Sequence, residues 1–326
     1  VSASPLTQVD QDFWNDGALL EACLREPVPR IPPHFGYDAL GSELFEAITA
    51  LPTYTLTRAE RGLLERCAAD IAARMDTAHL VELGSGSARK TRLLLAECLR
   101  LRPTTYLPVD VSREMLEGSA ADLVAALPGL SVHGLWGRYE AGLAALRDLV
   151  GGDPVVVAFL GSNIGNTTPA ERAALIGAVA AALEPGDGFL VSVDLVKPAA
   201  DMERCYNDPP GHDAFRRFRL NHLTHLNERF GADFRLDRFE PRAHAVGPVV
   251  EGHLHVAEDH RVTLPALDLR LDLPAGSTVN VGFSAKFRPD VVAAEVTPHG
   301  LVPEAEWVDP GLAYGIFLFR RVRQAR

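Results

Sequence analysis

The chain has 326 residues, 47% of them hydrophobic and 23% charged, with a formal net charge of −11. This suits a globular protein of about two domains with a large buried core, and the acidity argues against a nucleic-acid surface. No apolar stretch reaches the roughly 18 residues that span a bilayer, residues 1–10 lack the parts of a signal peptide, and Cys23, Cys67, Cys98 and Cys205 form no C-x-x-C pair, so a reduced, cytoplasmic protein without membrane contact or disulfide framework is expected.

Residues 13–24 and 37–51 carry helical patterns. Thr57-Arg58-Ala59-Glu60 reads as a capping box before a helix with Leu63, Leu64 and Cys67. The mostly apolar run 79–83 bears Glu82 near its end and enters the turn Gly84-Ser85-Gly86. A helix with Leu93, Leu94, Leu95 and Cys98 follows at once. Glycine permits positive φ and lets a ligand approach the main chain, and the first N–H groups of the helix point into the same space. A second apolar run, 106–109, ends at Asp110. An acid there, about 20 residues past the loop, is placed to bind ribose hydroxyls. The loop lacks the third glycine of a dinucleotide fingerprint, and no G-x-x-x-x-G-K-[ST] occurs. Glu82 before the loop and Asp110 after it favour S-adenosylmethionine over a plain tight turn.

Residues 112–127 read as a helix, 130–136 as a third strand and 155–160 as a fourth, valine-rich and uncharged as in a strand buried on both faces. Thr168-Pro169-Ala170-Glu171 starts another helix, with proline at its favoured first position. That helix stops at Pro185-Gly186-Asp187-Gly188, before a fifth strand at 189–193. Such β/α alternation predicts a parallel sheet. Residues 198–231 look helical, with Phe215, Phe218, Leu220, Leu223 and Leu226 as apolar members. Runs 234–236, 249–256, 262–273 and 278–287 read as antiparallel strands. A helix at 291–299 precedes closing strands at 301–308 and 313–320. His253 and His255 share a strand face and His222 and His225 lie one helical turn apart, but neither pair has a completing ligand, and no metal is expected.

A closing antiparallel hairpin after a fifth parallel strand resembles a methyltransferase core. The expected fold class is therefore α/β: a doubly wound, Rossmann-like methyltransferase core with an inserted α+β substrate-binding domain. The expected boundaries are 1–56 for N-terminal helices joining the insert, 57–197 for the core, 198–285 for the insert and 286–326 for the end of the core.

Several segments together carry a more specific resemblance. They are Tyr37-Asp38-Ala39-Leu40-Gly41-Ser42-Glu43-Leu44-Phe45, Leu51-Pro52-Thr53-Tyr54, Thr57-Arg58-Ala59-Glu60, Val81-Glu82-Leu83-Gly84-Ser85-Gly86, Phe159-Leu160-Gly161-Ser162-Asn163-Ile164-Gly165-Asn166, Asp194-Leu195-Val196-Lys197 and Lys286-Phe287-Arg288-Pro289. The chain resembles, from about residue 30 to 322, the ergothioneine-pathway histidine Nα-methyltransferases, a family that also includes fungal enzymes acting on tryptophan derivatives. The resemblance implies methyl transfer from S-adenosylmethionine to the α-amine of a free amino acid, up to three times, giving a betaine. It puts Gly84, Ser85, Gly86 and Lys90 around the methionine and ribose of the cofactor, beside Glu82, and Asp110 on the ribose hydroxyls. The family's adenine-binding Gly-Asp-Phe corresponds to Gly137-Arg138-Tyr139; an arginine cannot accept a hydrogen bond from the adenine amino group, so a neighbouring backbone group is expected to do so, with Tyr139 beside the cofactor.

For the substrate, the resemblance implies that Asn166 and Tyr206 bind the carboxylate and that Tyr54 and the Gly161 carbonyl lie near the amine. Tyr54 and Asn166 are the expected catalytic residues. An α-amine with a pKa of about 8 is partly neutral at physiological pH, so in-line attack on the sulfonium methyl needs alignment more than a strong base, with Tyr54 and water relaying the proton. Histidine-specific members use a glutamate and a serine to bind the imidazole; here those positions are Gly282 and Ser284. A wall methionine is Gly252. Loss of the carboxylate and the gain in volume point to a large aromatic amino acid, tryptophan or a derivative, unless both glycines are bulge positions. The alternatives are histidine held through Ser284, and a catalytically idle cofactor-binding partner protein.

Overall fold

The computed structural model describes residues 4–10 and 16–323. The strands, in chain order, are β1 (Leu6–Gln8), β2 (His79–Leu83), β3 (Thr105–Asp110), β4 (Ser131–Val132), β5 (Gly134–Trp136), β6 (Val155–Phe159), β7 (Gly188–Asp194), β8 (Phe239–Val246), β9 (Val249–Val256), β10 (His260–Leu264), β11 (Leu269–Leu273), β12 (Thr278–Ala285), β13 (Leu301–Asp309) and β14 (Tyr314–Arg321). The chain divides into two compact units, one of Val1–Gln11, Leu56–Val196 and Lys286–Arg326, the other of Asp12–Thr55 and Lys197–Ala285.

The first unit is the α/β core. Its sheet runs β1-β5-β3-β2-β6-β7-β14-β13, with β4 as a short extra partner of β3. All pairs from β1 to β7 are parallel, and β14 and β13 close the sheet antiparallel. Every residue of β6 and β7 is buried, which is why β6 is a run of valine, alanine and phenylalanine and the middle of β7 is mostly apolar. The Pro169–Ala182 helix carries the capping box that its sequence announces: Thr168 Oγ1 accepts from the Glu171 N–H, and the Glu171 carboxylate accepts from the Thr168 N–H. The carboxyl ends of β2, β3 and β6 lead into the glycine loop, Asp110 and Gly161 respectively, and this is the end of a parallel sheet where ligands bind.

Three features of this unit depart from expectation. The helix expected after a capping box at Thr57 runs from Leu56 to Met75, so Thr57 lies inside it and Glu60 does other work. The third strand is broken at His133 into β4 and β5. Residues 6–8, expected to join the insert, add a parallel strand to the core beside β5.

The second unit is α+β. It has a three-stranded antiparallel sheet, in the order β12-β9-β8, and the β10-β11 hairpin; the helices Ala199–Cys205 and Ala214–Phe230 pack on the sheet, Ala39–Thr49 packs on Ala214–Phe230, and Gly17–Leu24 adds Leu20 and Leu24 to the core. Leu20, Phe35, Leu223, Leu226, Leu254 and Val279 are central to its core. Along β9 the even positions Val250, Leu254 and Val256 are buried, so Gly252 shares the inward face. The expected first helix begins at Gly17, and its residues 13–15 lie outside the described residues. The 198–231 pattern is two helices separated by residues 206–213. The strand expected at 234–236 is absent: Leu236–Arg238 forms a 3-10 turn, and the strand follows as β8. The run 262–273 folds back on itself because Pro265 starts a turn and Asp268 takes a left-handed conformation.

Candidate active site

The glycine loop is built for a ligand to approach the main chain. Gly84 and Gly86 take φ of +68° and +50°, and a Cβ placed on Gly86 would meet nothing within 4 Å. The same atom on Gly84 would sit 2.8 Å from the Tyr139 hydroxyl, so the phenol lies over the loop, with its ring edge-to-face on Phe159 at 5.3 Å. Asp110, at the end of β3, accepts from the Gly86 N–H at 2.9 Å and the Ser112 N–H at 3.0 Å. Burial pushes its carboxyl above the usual range, against the pull of those N–H groups. Ser85 is buried under the loop. A backbone cradle with a ribose-type acid at its rim fits S-adenosylmethionine, which, when bound, supplies an electrophilic methyl on sulfur.

Glu82, near the end of β2, has both carboxylate oxygens engaged within the protein. Its side chain is 4% exposed; Thr91 Oγ1 donates to one oxygen at 2.8 Å and the Tyr106 hydroxyl donates to the other. Burial raises its pKa to about 7 despite these bonds. Glu82 braces the strand and helix that flank the loop.

A second buried acid was not anticipated as a site residue. Glu60 is fully buried and pairs with Lys90. It accepts from the Gly161 N–H at 2.8 Å, the Tyr314 hydroxyl at 3.1 Å and the Ser192 hydroxyl. Burial alone would raise its pKa, but the Lys90 charge and the Gly161, Lys90 and Ser192 donors hold it below the usual carboxylate range. Glu60 therefore ties the glycine-loop helix, through Lys90, to the turn after β6. Gly161 takes φ +78°, and a Cβ there would sit 3.6 Å from Lys90 Nζ and 3.4 Å from Asn163 Nδ2. The Asn163 amide is also 3.4 Å from the corresponding Gly84 position, a second residue that the sequence reading passed over. Asn166 ends the 3-10 turn Asn163–Asn166, which Ser162 enters in a left-handed conformation. Arg138, at the expected adenine segment, forms an ion pair with Asp10 at 2.7 Å.

Within the second unit, Tyr54, Tyr206 and Phe215 pack as a ring cluster, with Tyr54 5.9 Å from Tyr206 and 6.0 Å from Phe215. The Tyr206 hydroxyl donates to Ser284 Oγ at 2.9 Å. Gly252 and Gly282 are direct cross-strand partners on β9 and β12. Gly282 lies at a register shift with φ +139°, so its backbone itself asks for glycine, and no atom lies within 4 Å of its Cβ position. Gly252 has no such demand. Its Cβ position is 3.2 Å from Arg219 Nε, so an arginine fills part of the volume expected to be free. In the sequence, the helix of Arg219 shows only its apolar members, with no signal for a buried arginine.

His222 and His225 are packed against the Pro33–Gly36 turn; His225 Nδ1 bonds the Phe35 carbonyl at 2.8 Å. Among the described residues, no group of three or more His, Cys, Asp or Glu side chains is placed to hold a metal, and no helix is long and apolar enough to cross a membrane.

Residues 16–321 match the family model of the histidine-specific, S-adenosylmethionine-dependent methyltransferases. A histidine N-alpha-methyltransferase of Mycolicibacterium smegmatis is 39% identical over 295 residues, covering 88% of this chain and 89% of the relative. One from Mycobacterium tuberculosis is 37% identical, covering 90% and 91%. An L-tryptophan methyltransferase of Psilocybe serbica is 27% identical, covering 93% and 92%. With the parallel sheet, the cradle of Gly84 and Gly86 and the acid at Asp110, these matches show that the chain belongs to the histidine-specific methyltransferase family and is an S-adenosylmethionine-dependent amino-acid N-methyltransferase.

Proposed function

We propose that the enzyme methylates the α-amine of a free aromatic amino acid, tryptophan or a derivative, up to the trimethyl betaine. The observation that carries the reading is the composition of the second unit's pocket residues: rings from Tyr54, Tyr206 and Phe215 stand with paired glycines at 252 and 282, and no carboxylate occupies position 282 to bind an imidazole. In this reading Asn166 and Tyr206 donate to the substrate carboxylate, as neutral donors suit an anion without keeping the amine protonated. Tyr54 orients the amine and takes part in removing its proton, one proton leaving for each N–CH3 bond formed as an S–CH3 bond breaks. Gly84, Ser85, Gly86, Lys90, Asp110 and Tyr139 hold the cofactor, and the Glu60–Lys90 pair keeps the Gly161 turn in place. Approach and alignment are the main contributions, since the reaction needs no covalent catalyst.

Histidine is a second reading, favoured by the two mycobacterial relatives and by Ser284, which is present and bonded to Tyr206. A panel of free amino acids with S-adenosylmethionine, read by mass spectrometry for mass gains of one to three methyl groups, separates the two. Tryptophan or a ring-substituted aromatic amino acid should exceed histidine in kcat/KM; a clear preference for histidine would overturn the aromatic reading.

A further inference from the structure

Arg219 is a buried cation with no ion-pair partner among the described residues. The residue is 6% exposed. One Nη donates to the Tyr206 carbonyl, and the guanidinium lies over the Phe215 ring at 5.0 Å. Among the described residues no carboxylate lies within 4.0 Å of it. Asp208, whose charge it feels, spends its two oxygens on the Phe215 and Arg216 N–H groups, each at 2.8 Å. A guanidinium carries five N–H donors and always seeks acceptors, and an uncompensated buried charge is among the costliest features a core can hold. Burial pulls its pKa down to about 10, partly offset by the Asp208 charge.

Its place gives that demand a direction. Nε is 3.2 Å from where a Gly252 side chain would begin. Gly252 lies on the inward face of β9 between Val250 and Leu254, which belong to separate apolar clusters. The partner Gly282 leaves its own Cβ direction open. The carbonyl Arg219 holds belongs to Tyr206, whose hydroxyl bonds Ser284. The cation thus stands among the residues proposed to receive the substrate's side chain.

We propose that Arg219 selects amino acids whose side chain carries a second, anionic group, such as an aromatic ring bearing a carboxylate. This rests on the reading that Gly252, Gly282 and Ser284 line the side-chain pocket. A carboxylate fits the planar fork of arginine bidentately. The ion pair is completed only when substrate binds, so it discriminates strongly against side chains that leave the guanidinium unpaired.

The test compares phenylalanine bearing a ring carboxylate with its isosteric ring carboxamide, alongside tryptophan, histidine and glutamate. The carboxylate should exceed the carboxamide in kcat/KM by about ten-fold or more, chiefly through KM. Glutamate used as well as the aromatic acid would place the selectivity in the charge alone; a large advantage of the aromatic acid would add the ring. Arg219→Gln should bring the carboxylate and the carboxamide to equal use, and Arg219→Lys should keep part of the carboxylate preference. Gly252→Asp, which sets a carboxylate against the guanidinium from within, should cut use of the acidic substrates selectively. Equal use of the isosteric pair by the wild type would overturn the proposal even if every Arg219 variant misfolds. So would an equal loss for all substrates in Arg219→Gln, which marks a purely structural arginine. Calorimetric binding of the same pair in the presence of S-adenosylhomocysteine keeps the question separate from turnover: if no amino acid is methylated, the proposed function fails, and the pair still reports on Arg219.

Discussion

Glu60 and Glu82 are both acids buried beside the glycine loop, yet their surroundings push them opposite ways. Lys90 and several N–H and O–H donors keep Glu60 ionised, whereas Glu82, with two neutral hydroxyl donors, is shifted up to about 7. A carboxyl whose folded pKa exceeds its unfolded value of 4.5 adds stability below that value and loses it as pH rises through 7. Wild type should therefore gain thermal stability over Glu82→Gln as pH falls from 8 to 5. A melting-temperature difference that is flat with pH, or grows toward pH 8, would contradict the shift. The chemistry of Glu82 was half legible: an acid before the glycine loop is visible in Glu82-Leu83-Gly84, but whether it faces a ligand or braces the strand depends on Tyr106 and Thr91, and no spacing rule names those. Glu60 was misread for a different reason. Thr-x-x-Glu is the signature of a capping box, and the same letters serve when the helix starts two residues earlier and turns the glutamate into the core.

At the scale of elements, the Pro33–Gly36 turn, the Ala39–Thr49 helix and the Ala214–Phe230 helix meet through glycines. A Cβ on Gly36 would overlap the His222 ring at 2.3 Å, and one on Gly41 would lie 1.8 Å from the Gly36 carbonyl oxygen. Asp38 fastens the same corner, accepting from the Gly41 N–H and from Asn221 Nδ2, each at 2.7 Å. Since backbone cannot yield as a flexible side chain does, Gly41→Ala should destabilise by about 1–3 kcal/mol, the range for forced overpacking, in spite of alanine's better helix propensity. Denaturant unfolding measures this; an unchanged or raised midpoint would refute the close approach. In the sequence, Gly41 is an ordinary helix-interior glycine, and only tertiary contact gives it a purpose. The parallel strands were easier to find, because β2, β3, β6 and β7 are apolar runs bounded by turn residues. The second unit's strands were harder. Partly exposed, alternating strands mark their ends poorly, so β8 was placed too early and β10 and β11 were merged across Pro265 and Asp268.

Over the whole molecule, ligand binding and folding are linked. The β/α alternation made the order of the core strands and the closing hairpin readable, while the strand at residues 6–8, too short to show a period, and the helix Tyr139–Val150 escaped. What that core binds can be read from stability. A ligand that binds only the folded state stabilises by about 2.7 kcal/mol at a hundred times its Kd, so S-adenosylhomocysteine should raise the melting temperature of the wild type by several degrees. Gly86→Val places a branched side chain in the open direction of the loop and at φ +50°, a conformation β-branched residues avoid. Its unliganded stability should fall as well, so the informative quantity is the ligand-induced shift and not the melting temperature itself. Asp110→Ala removes the acid at the rim and with it the acceptor for the Gly86 N–H. In both variants the shift should drop below half of the wild-type value at equal ligand concentration, with calorimetry showing the matching loss of affinity. A full shift in both would place the cofactor elsewhere than in the cradle between β2 and β3.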